Sequence, residues 1–201
     1  MSVDRVVLAT HNAHKVAEFQ AIVAAVRPDL TVVAYDGPEP VEDGTTFAQN
    51  ALIKARAAAA HTGLPALADD SGLTVSVLGA APGVFSAYWA GHQKDDIANR
   101  RLLLDQLSDL AAEHRTAFFT SVIALVTPGG DEHTVEGIWP GRLATAESGE
   151  NGFGYDPVFL PDNADGTPGT RSAAELSSPE KNAQSHRARA FVSLQPLLAA
   201  L

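Results

Sequence analysis

Asp69 and Asp70, followed by Ser71-Gly72, are the carboxylates of this chain best suited to a hard divalent cation. Mg²⁺ takes oxygen ligands and keeps several of its waters, so one or two carboxylates are enough protein ligation for it. At the end of a strand the two side chains diverge. One is then free to hold a metal and activate a water, and the other to orient its neighbours. The same four residues also suit a solvated Asp-rich turn. A second group, Thr10-His11-Asn12-Ala13-His14-Lys15, lies where a strand gives way to a helix. Helix N-termini offer unpaired N–H groups and a partial positive charge, which attract phosphate. A lysine in the first turn opposes that dipole, so His14 and Lys15 make sense there with an anion; otherwise they form an exposed, solvated first turn. Asn50 and Lys54 are four apart and share one face of a helix, distinct from the face of Phe47 and Ala51. That face is either functional or simply the polar side of an amphipathic helix, and Glu42 stands in the loop just upstream.

Two further groups lie towards the C-terminus. In Gly152-Phe153-Gly154-Tyr155-Asp156-Pro157, glycines flank an aromatic ring and can present it to a base, a stacking contact worth ~1–3 kcal/mol. Lys181-Asn182 and Ser185-His186-Arg187 gather cations where the last helix begins, again the unfavourable end of the dipole. Cations at helix starts, carboxylates for Mg²⁺ and an aromatic for a base together describe a nucleoside triphosphate site. A Ser/His/Asp hydrolase fits the residue types less well. There is no G-x-S-x-G elbow, and Ser71 and Ser185 lack the strand-to-helix context it needs.

Composition narrows the classes further. The chain has 201 residues, 45% of them hydrophobic, enough to bury a sizeable core in one domain or in two lobes sharing a sheet. It has no cysteine, which excludes disulfides, thiolate zinc sites and cysteine nucleophiles. The net charge is −10, with 14 Lys plus Arg. Such a surface repels a polyphosphate backbone, so nucleic acid is not an expected partner. A small polyanion in a local basic pocket remains compatible. No apolar run approaches the ~20 residues that span a bilayer. Residues 1–8 read as a first strand and not a signal peptide, which makes the cytoplasm the expected compartment.

The elements that must position these residues follow from periodicity. Val6-Val7-Leu8 are consecutive apolar residues, as in a strand covered on both faces, within residues 3–9. Asn12 caps a helix carrying Val16, Phe19, Val23 and Val26, which Arg27-Pro28 ends. A strand is expected over residues 30–35. Thr46 caps a second helix, with Phe47, Ala51, Ala55 and Ala58 on one face and a stop near Gly63. The run Ala57-Ala58-Ala59-Ala60 reads as tight helix packing. Residues 65–68 and 73–78 read as strands on either side of a turn at residues 69–72, and residues 79–91 as a loop. Asp95 or Asp96 opens a helix with Ile97, Leu103, Leu104 and Leu107. Residues 116–126 and 132–139 form a hairpin about Pro128-Gly129-Gly130-Asp131. A glycine-rich loop over residues 149–156 precedes a strand over residues 157–160. Ser178-Pro179-Glu180 opens a helix with proline in its first turn, and the last helix, from about Ser185, is expected to kink or split at Pro196. The alternation gives an α/β fold with a mixed sheet.

These motifs, in this order, resemble the inosine triphosphate pyrophosphatase family, also called RdgB/HAM1-like, over nearly the whole chain. Leu8-Ala9-Thr10-His11-Asn12-Ala13-His14-Lys15 is similar to its opening phosphate-binding segment. Phe47-Ala48-Gln49-Asn50-Ala51-Leu52-Ile53-Lys54-Ala55 is similar to its F-x-E-N-A-x-x-K-A helix. Ala68-Asp69-Asp70-Ser71-Gly72-Leu73 and Leu78-Gly79-Ala80-Ala81-Pro82-Gly83-Val84 resemble its A-D-D-S-G-L…L-G-G-x-P-G-V stretch. The Gly152 and Glu180-Lys181-Asn182…Ser185-His186-Arg187 segments resemble its last two signatures. The resemblance implies one two-lobed domain over residues 1–201, built on an elongated mixed sheet with flanking helices. It places the active site in the cleft between lobes and implies a homodimer. It implies Mg²⁺ held by Glu42 and Asp70, with Asp70 as general base for water attacking the α-phosphorus of a small nucleotide. Thr10, His11, Asn12, Ala13, His14, Lys15, Lys54 and Ser71 would grip triphosphate and ribose. Phe153 would stack on the base, with Gly154, Tyr155, Asp156, Lys181, His186 and Arg187 completing recognition. A donor from His186 or Arg187 would reward the 6-oxo group of inosine and xanthosine over the 6-amino group of adenine.

Three positions depart from the family pattern. Gln49 replaces the usual Glu, so position 49 is not read as a metal ligand. His11 stands where Gly is frequent, and Tyr88 replaces the Arg of S-A-R-Y-A-G. The expected activity is hydrolysis of ITP, dITP and XTP to the monophosphate and pyrophosphate. A related pyrophosphatase of pyrimidine or modified nucleotides, and a nucleotide-binding sensor without catalysis, are the rival readings.

Overall fold

A computed structural model describes residues 3–201, His14 by its backbone alone. Six strands form one mixed sheet in the order β2-β1-β3-β4-β5-β6. They are β1 (Arg5–Leu8), β2 (Thr31–Ala34), β3 (Ala66–Val75), β4 (Thr116–Val126), β5 (Glu132–Leu143) and β6 (Phe159–Pro161). The helices are α1 (Ala13–Val26), α2 (Phe47–Thr62), α3 (Asp96–Gln106), α4 (Ser178–Gln184) and α5 (His186–Ala199). β1 pairs in parallel with β2, Val6 opposite Val32, and with β3, Val7 opposite Ala66. β5 and β6 pair antiparallel, Arg142 opposite Leu160. The α/β class with a mixed sheet is therefore as the periodicity indicates. Among the described residues no helix is long and apolar enough to cross a membrane.

The chain divides into two compact units. Of the described residues, one holds 3–70, 121–137 and 190–201; the other holds 71–120 and 138–189. In the first unit the period of two in β1 feeds two cores. Val6 and Leu8 join Phe19, Val23, Ile123, Leu125 and Leu194, whereas Val7 joins Ala51, Ala55, Ala58, Val122 and Ala124. A strand buried on both faces needs this consecutive apolar run. The stripe Ala51, Ala55, Ala58 is fully buried, so the methyl-only face lets α2 lie close to the sheet. Thr46 caps that helix through Gln49 N–H, and Gly63 closes it in the left-handed conformation at φ 68°.

The second unit has its own core of Leu73, Leu103, Leu107, Phe119, Trp139, Tyr155 and Phe159. Asp95, not Asp96, caps α3, accepting from Ile97 N–H and Ala98 N–H. Leu103 and Leu107 face the core, while Ile97 is exposed.

Several expected boundaries differ. Residues 69–72 are not a turn: they lie inside β3, a single strand of 10 residues. Asp, Ser and Gly favour turns by local chemistry, but Leu67, Ala68 and Leu73 on either side are fully buried, and the paired strands hold the segment extended. β3 ends at Val75, and residues 76–78 form a 3₁₀ turn. The expected loop 79–91 contains a 3₁₀ segment, Gly83–Tyr88, anchored by buried Ser86. β5 runs four residues past Trp139, whereas α4 opens at Ser178 with proline in its first turn as expected, capped by Ser177. Pro196 does not split α5, which continues to Ala199. That position is in the last turn, where proline costs one backbone bond at most.

Candidate active site

The first unit gathers carboxylates around one ammonium. The alternation of β3 sends Asp69 and Asp70 to opposite faces, and each finds a different lysine. Lys54, one helical turn after Asn50 on α2, donates to Asp70 Oδ1 at 3.1 Å and pairs with Glu42 Oε2 at 2.9 Å. Asn50 is buried and was legible only as part of a polar helix face. Its Oδ1 accepts Gly44 N–H at 2.8 Å, which fixes the amide, and its side chain hydrogen-bonds the Asp70 carboxylate. Asn50 thus ties the Glu42 loop to the β3 carboxylate. Gln49 Oε1 accepts Thr45 N–H at 2.7 Å and the Thr45 hydroxyl at 3.0 Å. It serves the helix start.

The electrostatics of this cluster are those of a site short of positive charge. Burial pushes the Asp70 carboxyl above the ordinary aspartate value; Lys54 opposes the rise and Glu42 adds to it. Burial works against the Lys54 ammonium, but Asp70 and Glu42 outweigh it and raise its pKa. One cation shared by two carboxylates leaves net negative charge, which is what a divalent ion would neutralise. Among the described residues no group of three or more His, Asp or Glu is drawn together as a ready cage. Two carboxylates with room for waters and phosphate oxygens suit Mg²⁺ better than an all-protein cage does.

On the other face of β3, Lys15 donates to both Asp69 oxygens, at 2.8 and 2.9 Å. The anion that offsets a first-turn lysine on α1 is therefore supplied within the chain. Asn12 Oδ1 accepts Lys15 N–H at 3.4 Å, and Asn12 N–H donates to Thr10 Oγ1 at 3.2 Å, so this loop is self-braced. His11 stacks on Tyr35 with ring centres 5.8 Å apart, and its ring nitrogens face Gly37 O at 3.0 Å and Glu39 at 3.2 Å. Ala13 opens α1, and the His14 side chain lies outside the described residues.

The second unit holds an open pocket of about 140 Å³ lined by Ser71, Ser86, Phe119, Phe153, Gly154, Tyr155, Asp156, Lys181, His186 and Arg187 among others. It brings together all eight site residues that the sequence assigns to this unit. Phe153 is exposed at 61%, and its ring is approached by Lys181 Nζ at 5.3 Å and the Arg187 guanidinium carbon at 5.4 Å. Asp156 is buried; it accepts Phe153 N–H at 2.8 Å and takes an ion pair from Lys181. Arg187 Nη2 donates to Ser71 Oγ at 3.4 Å. His186 is buried, stacked on Phe119 at 4.9 Å. The Tyr155 hydroxyl is engaged with Ser86 O at 2.8 Å, and burial pushes its pKa up. Tyr155 therefore supplies pocket wall and not a titrating group. Tyr88, in the place of the arginine, stacks on His92 with centres 5.4 Å apart.

Sequence comparison gives these groups a context. Residues 6–197 match the model of the Ham1 family. The chain is 60% identical over 197 residues to a dITP/XTP pyrophosphatase of Leifsonia xyli subsp. xyli, covering 98% of this chain and 96% of that protein. It is 50% identical to a dITP/XTP pyrophosphatase of Corynebacterium diphtheriae, covering 97% of each. Among solved structures, the Ham1 protein of Staphylococcus aureus superposes with a TM-score of 0.87 at 36% identity, covering 98% of both chains. The nucleoside-triphosphatase / dITP/XTP pyrophosphatase of Mycobacterium abscessus does so with a TM-score of 0.81 at 47% identity, covering 96% of this chain and 99% of that one.

Proposed function

The chain belongs to the Ham1 family, and from that membership we propose that it hydrolyses non-standard purine nucleoside triphosphates (ITP, dITP, XTP) to the monophosphate and pyrophosphate. The observation that carries the reading is the convergence of Asp70 and Glu42 on Lys54, with Asn50 bonded to the half-buried Asp70. A pure nucleotide binder has no need of a desolvated carboxylate whose pKa burial has raised, whereas a general base does. Residues 1–201 then work as one domain, and the resemblance extends the proposal to a homodimer in the cytoplasm. A monomer mass by sedimentation would overturn the dimer.

Glu42 and Asp70 would hold the ion, Mg²⁺ by the oxygen chemistry of the pair. When bound, Mg²⁺ screens phosphate charge and lowers the pKa of a water. Asp70 takes the proton of the water that attacks the α-phosphorus. Lys54, Lys15 and the Thr10-to-Lys15 loop with Ser71 supply positive charge and N–H donors to the phosphates and ribose. Phe153 offers its exposed face to the base. Lys181, His186 and Arg187 place donors toward a 6-oxo group and none that can pair with a 6-amino group. An unmet donor facing adenine disfavours ATP on the order of 10³-fold or more.

Pyrophosphate release from ITP, XTP, GTP, ATP and UTP, with Mg²⁺ and with EDTA, tests the whole reading. Fast release from ITP and XTP alone, abolished by EDTA, is the expected result. Preference for UTP would favour a pyrimidine-directed relative, and binding without release a sensor.

Gly152 gives an independent test of the base pocket. It sits at φ +78°, and a Cβ there would strike the Asp156 carboxylate that holds Phe153 N–H and Lys181. Gly152→Ala is therefore expected to raise KM for ITP about tenfold, from ~1–2 kcal/mol of strain and lost positioning. The change in kcat should be much smaller. Steady-state kinetics at saturating Mg²⁺ would show it; an unchanged KM would remove the Asp156 loop from base recognition.

A further inference from the structure

Phe153 is a highly exposed ring whose side-chain neighbours include Lys181 and Arg187, and its backbone is held from both sides. Asp156 fixes the peptide before it by accepting Phe153 N–H. The peptides after it are held from α3. Asp96 Oδ2 accepts Gly154 N–H at 2.9 Å, and Arg100 Nη1 donates to Gly154 O at 2.8 Å. Asp96 and Arg100 are four apart, so one helix face presents an acceptor and a donor to the two polar groups of a single glycine. Gly154 itself is left-handed at φ +59°, a conformation that glycine adopts without steric cost but for which it has no intrinsic preference. Arg100 is in turn braced by Glu147 Oε2 at 3.1–3.2 Å. Its side chain is only 12% exposed, whereas that of Glu147 is 37% exposed.

We propose that Asp96 and Arg100 are positioning residues for base recognition: they clamp Gly154 and thereby fix the backbone from which the Phe153 ring projects. Neither residue belongs to a motif of the sequence reading, where Asp96 figured only as a helix opener. The contacts span 58 and 54 residues of sequence, which no local pattern announces. The inference rests on the reading that Phe153 stacks on the base.

The test is a double-mutant cycle with Phe153→Ala, Arg100→Met and the pair, assayed with ITP. Arg100→Met is expected to raise KM five- to twentyfold with kcat within about twofold, and Arg100→Lys, which keeps one donor to Gly154 O, to recover part of it. In the Phe153→Ala background the Arg100→Met effect should fall below about twofold. Inhibition by inorganic tripolyphosphate, which has phosphates and no base, should be unchanged in every variant. If Phe153→Ala leaves KM unaltered, the stacking reading falls and the clamp falls with it. If Phe153→Ala raises KM but Arg100→Met does not, stacking stands and the clamp alone is overturned. An equal Arg100→Met effect in both backgrounds, or weakened tripolyphosphate inhibition, would also overturn it. Should Arg100→Met not fold, Asp96→Ala against Asp96→Asn carries the same cycle from the other half of the clamp.

Discussion

Asp70→Asn is expected to bind ITP with near-normal affinity while its turnover falls by roughly 10²–10⁴-fold, the span a general base supplies. Asparagine keeps the shape and one oxygen for Lys54 and Asn50 but cannot take a proton from water. The pH dependence follows from the same environment. The base must be ionised, so the rate falls as pH drops through its pKa; without metal, burial holds that pKa above the ordinary aspartate value, and a bound divalent ion would lower it. Lys54 opposes the rise, so Lys54→Met should move the acidic limb to higher pH. The sign for stability is opposite. A folded-state pKa above the unfolded value means ionisation costs stability; the cost is absent at low pH and complete once pH rises past the raised value. Neutral Asn avoids it, and Asp70→Asn should therefore unfold no earlier than the parent at pH 7. Turnover, isothermal titration and thermal melting on the same preparation separate these effects. Full activity in Asp70→Asn with loss in Asp69→Asn would reverse the roles assigned to the two faces of β3.

Much of the frame that carries Asp70 is legible in the sequence, because local chemistry and tertiary structure agree there. Val6-Val7-Leu8 needs cover on both faces and gets it; Thr46 and Gly63 bound α2 as their capping chemistry requires. Agreement ends where a strand is imposed on turn-forming residues. Asp69-Asp70-Ser71-Gly72 reads locally as a turn, yet continuous pairing keeps it extended. The divergence of the two carboxylates, which depends on their being in a strand, holds more firmly for that reason. The individual roles came from resemblance, since spacing alone cannot prefer Asp70 to Asp69. Asn50 shows the remaining gap. Its place on the Lys54 face was visible, but its burial and its bonds to Gly44 and Asp70 depend on where a loop returns. Arg100 and Arg115 are silent in the sequence, and Asp96 is legible only as a candidate helix opener, because every partner they have outside their own helix or turn is set by chain folding and not by period.

Arg115→Ala is expected to destabilise the second unit by roughly 3–5 kcal/mol, more than a typical substitution. Arg115 is 2% exposed, and among the described residues no carboxylate pairs with it. Its guanidinium donates instead to three backbone carbonyls: Leu107 O at 2.5 Å, Leu110 O at 3.0 Å and Ala144 O at 3.0 Å. Leu107 follows the last turn of α3, where carbonyls lack helical partners and the dipole favours a cation. Without the guanidinium these carbonyls are left unmet, at about 1–3 kcal/mol each where water cannot replace it. Arg115→Met retains length and regains about 1.5–3 kcal/mol of apolar burial, so its loss should be smaller, near 2 kcal/mol. Arg115→Lys should fall between wild type and Ala, because one ammonium cannot satisfy three separated acceptors in a fixed fork. Urea unfolding at constant m tests the series. Losses under about 1 kcal/mol for Ala would mean that the carbonyls find water, and the guanidinium would not be what seals the end of α3. The series also reaches the base pocket. α3 carries Arg100, so a loosened C-terminal end should raise KM for ITP only in variants where melting shows the helix less stable. A KM rise in a variant of undiminished stability would show that Arg115 acts on the pocket by another route.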